Sequence, residues 1–256
     1  MVTAVGIMAD SKQQGPPFDP TQLTGLVVWF DASDLASITQ VANAVSQWND
    51  KSLSGFHVTQ AVGANQPLTN TSTLNGKNVL TFNGTTQFLT KSPPVQVVHA
   101  TTGEWSCYSA FKTTNNVGTH CILDQDSLSG TTTARCAVFC RTGNTNLHAI
   151  AYDTILTSFI DTHTGIVTNG SYYASNIRRA TEIEAYRNGT TSGPTATTGT
   201  PQTSGAYNLA VGAGRTGGAA QSWWQGDIAE IIVYNTAHTT IERQKMENYL
   251  KAKWGL

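Results

Sequence analysis

Short apolar runs separated by turn-forming residues recur along most of the chain. Gly25–Ser33 (GLVVWFDAS) is apolar and ends in polar residues, the pattern of a buried strand. Asp34–Ile38 predicts a helical turn, Ser46–Asp50 leads into a loop, and Phe56–Ala61 predicts a strand. The turn dipeptides Asn75-Gly76 and Asn83-Gly84 flank a strand at Asn78–Phe82, and another follows at Gln87–Thr90. Glu104–Lys112 alternates, and HCILDQ, ARCAVFC, LHAIAYD and SFIDTHTGIV predict further short strands. TEIEAYRNG ends on the turn Asn188-Gly189, and residues 190–205 predict a long polar loop of Thr, Ser, Gly and Pro. Tyr207–Gly214 and Asp227–Tyr234 give the last two strands. Strands recurring about every 8–15 residues with turn chemistry between them mean a sandwich or jelly roll.

The two ends depart from this rhythm. Thr239-Thr240-Ile241-Glu242 is a capping box, and Ile241, Met246, Tyr249, Leu250 and Trp254 follow at helical spacing. Arg243–Glu247 and Glu247–Lys251 are i,i+4 pairs, Lys251 and Lys253 suit the negative end of the helix dipole, and Gly255 is a stop signal. The spacing predicts a helix over 240–254. Residues 1–22, with Gly15-Pro16-Pro17 and Pro20, read as an extended arm ahead of a domain spanning 23–256. That arm either docks on a neighbouring subunit, through Pro16, Pro17 and Phe18, or is a disordered terminus.

Composition narrows the setting. Of 256 residues only 12% are charged, about half the usual share, and the net charge is -1. Thr, Ser, Asn and Gly fill the gap, which suits a β-rich protein with a neutral polar surface. A phosphate backbone needs a clustered basic face, so nucleic acid is excluded as the main partner. The longest apolar run falls short of a membrane span, so membrane insertion is not expected. The N-terminus lacks a basic n-region and a continuous apolar stretch, so no signal peptide is predicted. Cys107, Cys121, Cys136 and Cys140 do not form a disulfide framework; they read as reduced core residues, with a Cys107–Cys121 pairing as the alternative.

The segments GLVVWFDASD, SQWNDKS, NQPLTNTSTLNGKNVLTFNGTTQFL, EAYRNGT and GDIAEIIVYNTAHTTIERQKMENYLKAKWG occur in that order. They resemble the Trp-x-Asp start, the Trp-Asn-Asp-x-Ser turn, the Asn-Gly…Phe-x-Gly strand pair, the Tyr-x-Asn-Gly hairpin and the Gly-x-Ile-Ala-Glu strand plus helix of laminin G-like, concanavalin A-like lectin-glucanase domains found in bacterial and phage structural proteins. The resemblance covers about residues 23–255 and implies an all-β, concanavalin A-like jelly-roll sandwich with an N-terminal arm and one C-terminal α-helix. Motifs of this kind specify fold far better than function.

The resemblance also implies chemistry to test. Some relatives hold calcium at the sandwich rim, which makes Asp31 and Asn83 the metal candidates. Asn83 stands where the family often has Asp, and an amide oxygen is the weaker hard-cation ligand. Calcium is therefore the sole cofactor left open. Some relatives cleave glycans. Glu182 and Glu184 alternate along one strand face, but Arg187 stands where a third carboxylate would be expected, so a solvated face is the better reading and no catalytic residue is assigned. Gly212–Gly217 (GAGRTG) matches a dinucleotide fingerprint but is followed by no helix, so it reads as a loop between strands. The scattered histidines read as polar strand or loop residues. Trp223 and Trp224 are adjacent, so one belongs to the core and the other, beside Gln221, is a candidate glycan platform.

Three functional classes follow. The first is a non-enzymatic virion structural or appendage protein, such as a capsid decoration, head fibre or tail-associated subunit displaying a lectin-like sandwich on the virion surface. Its partners would be other virion proteins, its own copies in a homo-oligomer (a trimer is common for such appendages), and a cell-surface glycan. A lone lectin-like domain with a docking arm, a starting Met and no export signal fits this class best. The second is a free carbohydrate-binding module or adhesin, secreted or on the cell surface by a route without a signal peptide. The third, disfavoured by the missing carboxylate, is a polysaccharide-degrading enzyme.

Overall fold

The computed structural model describes residues 17–114, 118–127, 137–141, 146–152, 158–199, 207–216 and 219–256. Within them the chain forms two antiparallel sheets packed face to face and one helix. Along the first sheet lie β1 (Leu26–Asp31), β21 (Gln225–Tyr234), β9 (Trp105–Thr113), β14 (Ser171–Arg178), β15 (Glu182–Arg187) and β16 (Thr190–Thr191); β7 (Leu80–Asn83) also pairs β21 and β17 (Thr195–Ala196) also pairs β15. The second runs β13 (Ser158–Thr164), β12 (Asn146–Tyr152), β11 (Ala137–Arg141), β10 (His120–Ser127), β18 (Tyr207–Val211), β8 (Leu89–Lys91), β4 (Val58–Thr59), β3 (Ala44–Trp48) and β2 (Ile38–Val41). Two small hairpins complete the set, β5 (Thr73–Leu74) with β6 (Lys77–Asn78) and β19 (Gly214–Thr216) with β20 (Ala219–Gln221). The all-β sandwich with one C-terminal helix is therefore the fold.

Strand alternation explains the layers. On β9, Trp105, Cys107 and Phe111 enter the core between the sheets, while Tyr108 and Ala110 face outward. The outward face is not wet. The helix α1 (Thr240–Trp254) covers it with Met246, Leu250 and Trp254, each fully buried. Its capping box forms as expected, with Thr239 accepting from the Glu242 amide, and Gly255 ends it in the left-handed conformation.

One bulge decides what lies beneath that helix. On β21, Ile228 pairs Phe111 and Glu230 pairs Ala110, so Ala229 is an extra residue. Without it, strict alternation from the inward Ile228 would aim Glu230 into the sandwich core. With it, Glu230 faces the helix.

Several expectations need correction. Ile241 is 67% exposed rather than part of the apolar stripe. The Arg243–Glu247 pair forms as expected but is buried: Arg243 lies 3.9 Å over the Tyr186 ring and Glu247 accepts from the Ser175 hydroxyl. The polar stretch after Gly189 is not all loop, since β16 and β17 fall within it. The hairpin β2–β3 went unpredicted, because its turn uses Ala42 and Asn43, both at positive φ, in place of the usual Asn-Gly or Asp-Gly pair. Packing begins ahead of Leu23: Phe18 meets Tyr249 edge-on at 6.1 Å, Asp19 caps the turn Pro20–Gln22, and the buried Pro20 carbonyl accepts from Tyr234. Pro17 and Phe18 thus lie against their own domain, while Pro16 and the residues before it lie outside the described residues.

Candidate functional site

The glycan candidates converge on one rim of the sandwich. Trp224 is fully buried, packed edge-on against Phe111 at 5.3 Å and near His120, so the structure removes it as a surface platform and makes it the wedge that fixes this rim. Trp223 is partly exposed and Gln221 is exposed at the end of β20. The backbone around them is fixed at several points. The His120 ring nitrogen Nδ1 bonds the Trp223 carbonyl at 2.7 Å, the Ser222 carbonyl accepts from Cys121, and the Trp224 carbonyl accepts from Gly84. Asn83 pairs Gln225 and Gly84 bonds the Trp224 carbonyl, so the turn Asn83–Gln87 starts against Trp224 and Gln225.

That turn explains Asn83 differently from the metal reading. Its Oδ1 accepts backbone amides of Thr85, Thr86 and Gln87, and its Nδ2 donates to Thr86, so the side chain shapes the loop and its oxygen is in use. Asp31 pairs Glu230 while Asn83 pairs Gln225 further along the same strand, which separates the two by roughly 15 Å. They cannot share a calcium ion. Among the described residues no three His, Cys, Asp or Glu side chains gather around a metal-sized space.

The motif carboxylates are structural. Asp50 accepts the amides of Trp29, Ser52 and Phe56 and ties the start of the domain together. Asp31 accepts Lys51 at 3.0 Å and Lys253 at 2.9 Å. Burial pushes its carboxyl up, but Lys253, the Ser33 hydroxyl and Lys51 outweigh it and hold the pKa below the usual value. Glu230, fully buried, accepts from the indoles of Trp29 and Trp254, both at 2.7 Å, from the Tyr249 hydroxyl at 2.8 Å, and pairs Lys253 at 3.0 Å. Burial raises its pKa, and Lys253 draws it back only in part.

Glu182 and Glu184 both bond Arg179, at 3.0 and 3.3 Å, and Glu184 also accepts from Thr191. Within GAGRTG, Gly212 sits at positive φ against the Phe82 ring and Gly214 begins β19, so this segment is a hairpin entry. His57 and His99 accept backbone amides, and His148 and His163 bond threonines. Cys107 and Cys121 are buried and no disulfide joins them, which removes their pairing; Cys136 and the side chain of Cys140 lie outside the described residues.

A concavity elsewhere on the molecule went unnoticed in the sequence. A cleft of about 660 Å³ opens between α1 and the β5–β6 hairpin, with Phe18, Tyr249 and Ala252 as its apolar floor and Asn75, Lys77, Lys245 and Asn248 around it. Its residues come from three distant stretches of chain. The one sequence signal available is the spacing Lys245, Asn248, Tyr249, Ala252, which places all four on one helix face.

No protein-family model and no curated protein matches the chain. Solved structures do. The chain is similar to a Trypanosoma rangeli sialidase in complex with sialic acid, at TM-score 0.62 and 12% identity over 90% of this chain and 33% of that one. It is also similar to the receptor-binding domain of botulinum neurotoxin D, at TM-score 0.56 and 10% identity over 90% of this chain and 53% of that one. It thus spans about a third of the sialidase and half of the toxin domain. At such identities the likeness is one of fold, an antiparallel β-sandwich.

Proposed function

We propose that this chain is a non-enzymatic lectin-like domain that attaches to a glycan at the rim built around Trp223. One observation carries the reading: the partly exposed Trp223 stands on a backbone fixed at several points, between Gln221 and Gln225 in the chain, where Gln225 pairs the start of the Asn83–Gln87 turn. An aromatic face takes the apolar side of a sugar ring, and amides match its hydroxyls. The sandwich shared with a toxin's receptor-binding domain and with a sialidase bound to sialic acid supports it. The engagement of Glu182 and Glu184 by Arg179 supports a binding rather than a cleaving role. The test is a glycan array probed with the wild type and Trp223→Ala. Retention that depends on Trp223, with no sugar released, is expected; retention unchanged in the variant overturns the site.

The setting is a separate proposal. Display on a virion surface, with other virion proteins and own copies as partners, rests on the neutral polar composition, the Pro-rich segment before Leu23 and the laminin G-like motifs. Mass spectrometry of purified particles tests it, and absence of the chain from them would leave a free carbohydrate-binding module or adhesin.

A further inference from the structure

The cleft under α1 has a different chemistry from the Trp223 rim. Resting on the glycan reading but using this separate site, we propose that the cleft binds a carboxylated sugar residue, with Lys77 and Lys245 as its carboxylate partners.

Charge is the first argument. Of the three lysines at the cleft, Lys253 is already engaged by Asp31, Glu230 and Tyr249. Lys77 and Lys245 form no salt bridge among the described residues. The acidic groups nearby are turned to other tasks. Asp31 and Glu230 lie beneath the helix, Asp19 is bonded to Thr21, and Glu242 is bonded to Thr239. A carboxylate placed on the open side of the cleft therefore meets two ammonium donors, while Asp31 and Glu230 are paired with Lys253 and Glu242 and Asp19 are held on Thr239 and Thr21.

Shape and polarity give the rest of the ligand. Phe18 and Tyr249, with centroids 6.1 Å apart and planes at 70°, make an apolar floor with the Ala252 methyl. Such a floor suits the C–H face of a pyranose. Asn248 is exposed and its side chain makes no hydrogen bond among the described residues, and Asn75 uses its Nδ2 on the Lys253 carbonyl. An amide offers a donor and an acceptor in one plane, the pattern that vicinal hydroxyls match. A fatty acid would need a deep apolar channel, whereas this floor is one helix face wide and its rim is polar.

The experiment titrates the full chain with tri-galacturonate and with its methyl ester, the same sugar without charge, following backbone amide shifts by NMR. The acid should bind on the order of tenfold more tightly than the ester, with shifts on α1 and the Asn75–Gly76 turn. Lys77→Gln/Lys245→Gln should abolish that difference, and Trp223→Ala should leave it intact. Equal binding of acid and ester, or wild-type affinity in the lysine variant, overturns the inference. Binding of tri-glutamate as tight as that of the sugar overturns the carbohydrate half. Neutral glycans held through Trp223 with no preference for the acid would sink this inference alone, whereas no glycan retained at all would sink the glycan reading with it.

Discussion

The Trp254 indole donates to the Glu230 carboxylate at 2.7 Å, joining the last turn of the helix to the fully buried middle of β21. The same carboxylate accepts the Trp29 indole and the Tyr249 hydroxyl and pairs Lys253, so one side chain joins β1, β21 and α1. A charge so deep is tolerated only because its acceptor sites are filled. The Gly-x-Ile-Ala-Glu motif is thus a structural fastening, and its counterpart at the start of the domain, Asp31, shares Lys253 with it.

Glu230→Ala leaves two indoles and the Tyr249 hydroxyl without their acceptor in a closed site, and leaves Lys253 with Asp31 as its carboxylate partner. A loss of about 3–5 kcal/mol is expected, measured by urea denaturation. A loss below about 1 kcal/mol would mean that the network adds little to stability.

Gly212 holds φ +79°, and an added Cβ would lie 2.2 Å from the Phe82 ring. Gly212→Ala therefore combines backbone strain with a clash in the core, and should destabilise by about 2–4 kcal/mol. A melting temperature equal to wild type would contradict this placement of Phe82.

His238 is buried against Tyr234 and bonded to Tyr108, and burial pushes its pKa down from 6.5 to about 4. Between those values the unfolded chain binds a proton that the folded chain refuses. The stability contributed by neutral His238 is present above pH 6.5 and is lost progressively as pH falls from 6.5 to about 4, by about 3 kcal/mol in all. Denaturation curves at pH 7.5, 6 and 5 should show this slope, and His238→Gln should flatten it.

The two tryptophans separate stability from binding. Trp224→Ala should cost about 3–5 kcal/mol, because it empties a core position. Trp223→Ala should cost less than about 1 kcal/mol while removing glycan retention. Paired melting and glycan-array measurements check both, and a strongly destabilised Trp223→Ala would place that indole in the core instead.

The helix face is tested by Leu250 and Ile241. Leu250 is fully buried, and Leu250→Ala should cost about 2–5 kcal/mol. Ile241 is 67% exposed, and Ile241→Ser should change stability by less than about 0.5 kcal/mol. Similar losses in both would mean that the apolar spacing, not the observed face, describes the contact.

Much of the fold was legible in the residues alone. Strand periodicity, the Asn-Gly turns and the Thr239–Glu242 capping box act over a few neighbouring positions, and most of these elements formed where local chemistry placed them, although the strand expected at Phe56–Ala61 shrinks to Val58–Thr59. What the sequence left open depends on contacts between distant segments. Whether Trp223 or Trp224 enters the core is set by packing against Phe111 and His120. Whether Arg243 and Glu247 meet solvent or the sheet is set by which helix face docks on β14 and β15. The inserted Ala229 turns Glu230 from core to helix, and no hydrophobic pattern announces a bulge whose neighbours are apolar on both faces. The cleft lined by Phe18, Lys77 and Lys245 exists only once the N-terminal segment, a hairpin and the final helix have come together. Local energetics determined the elements, and side-chain packing across the chain decided which faces and charges remained free to bind.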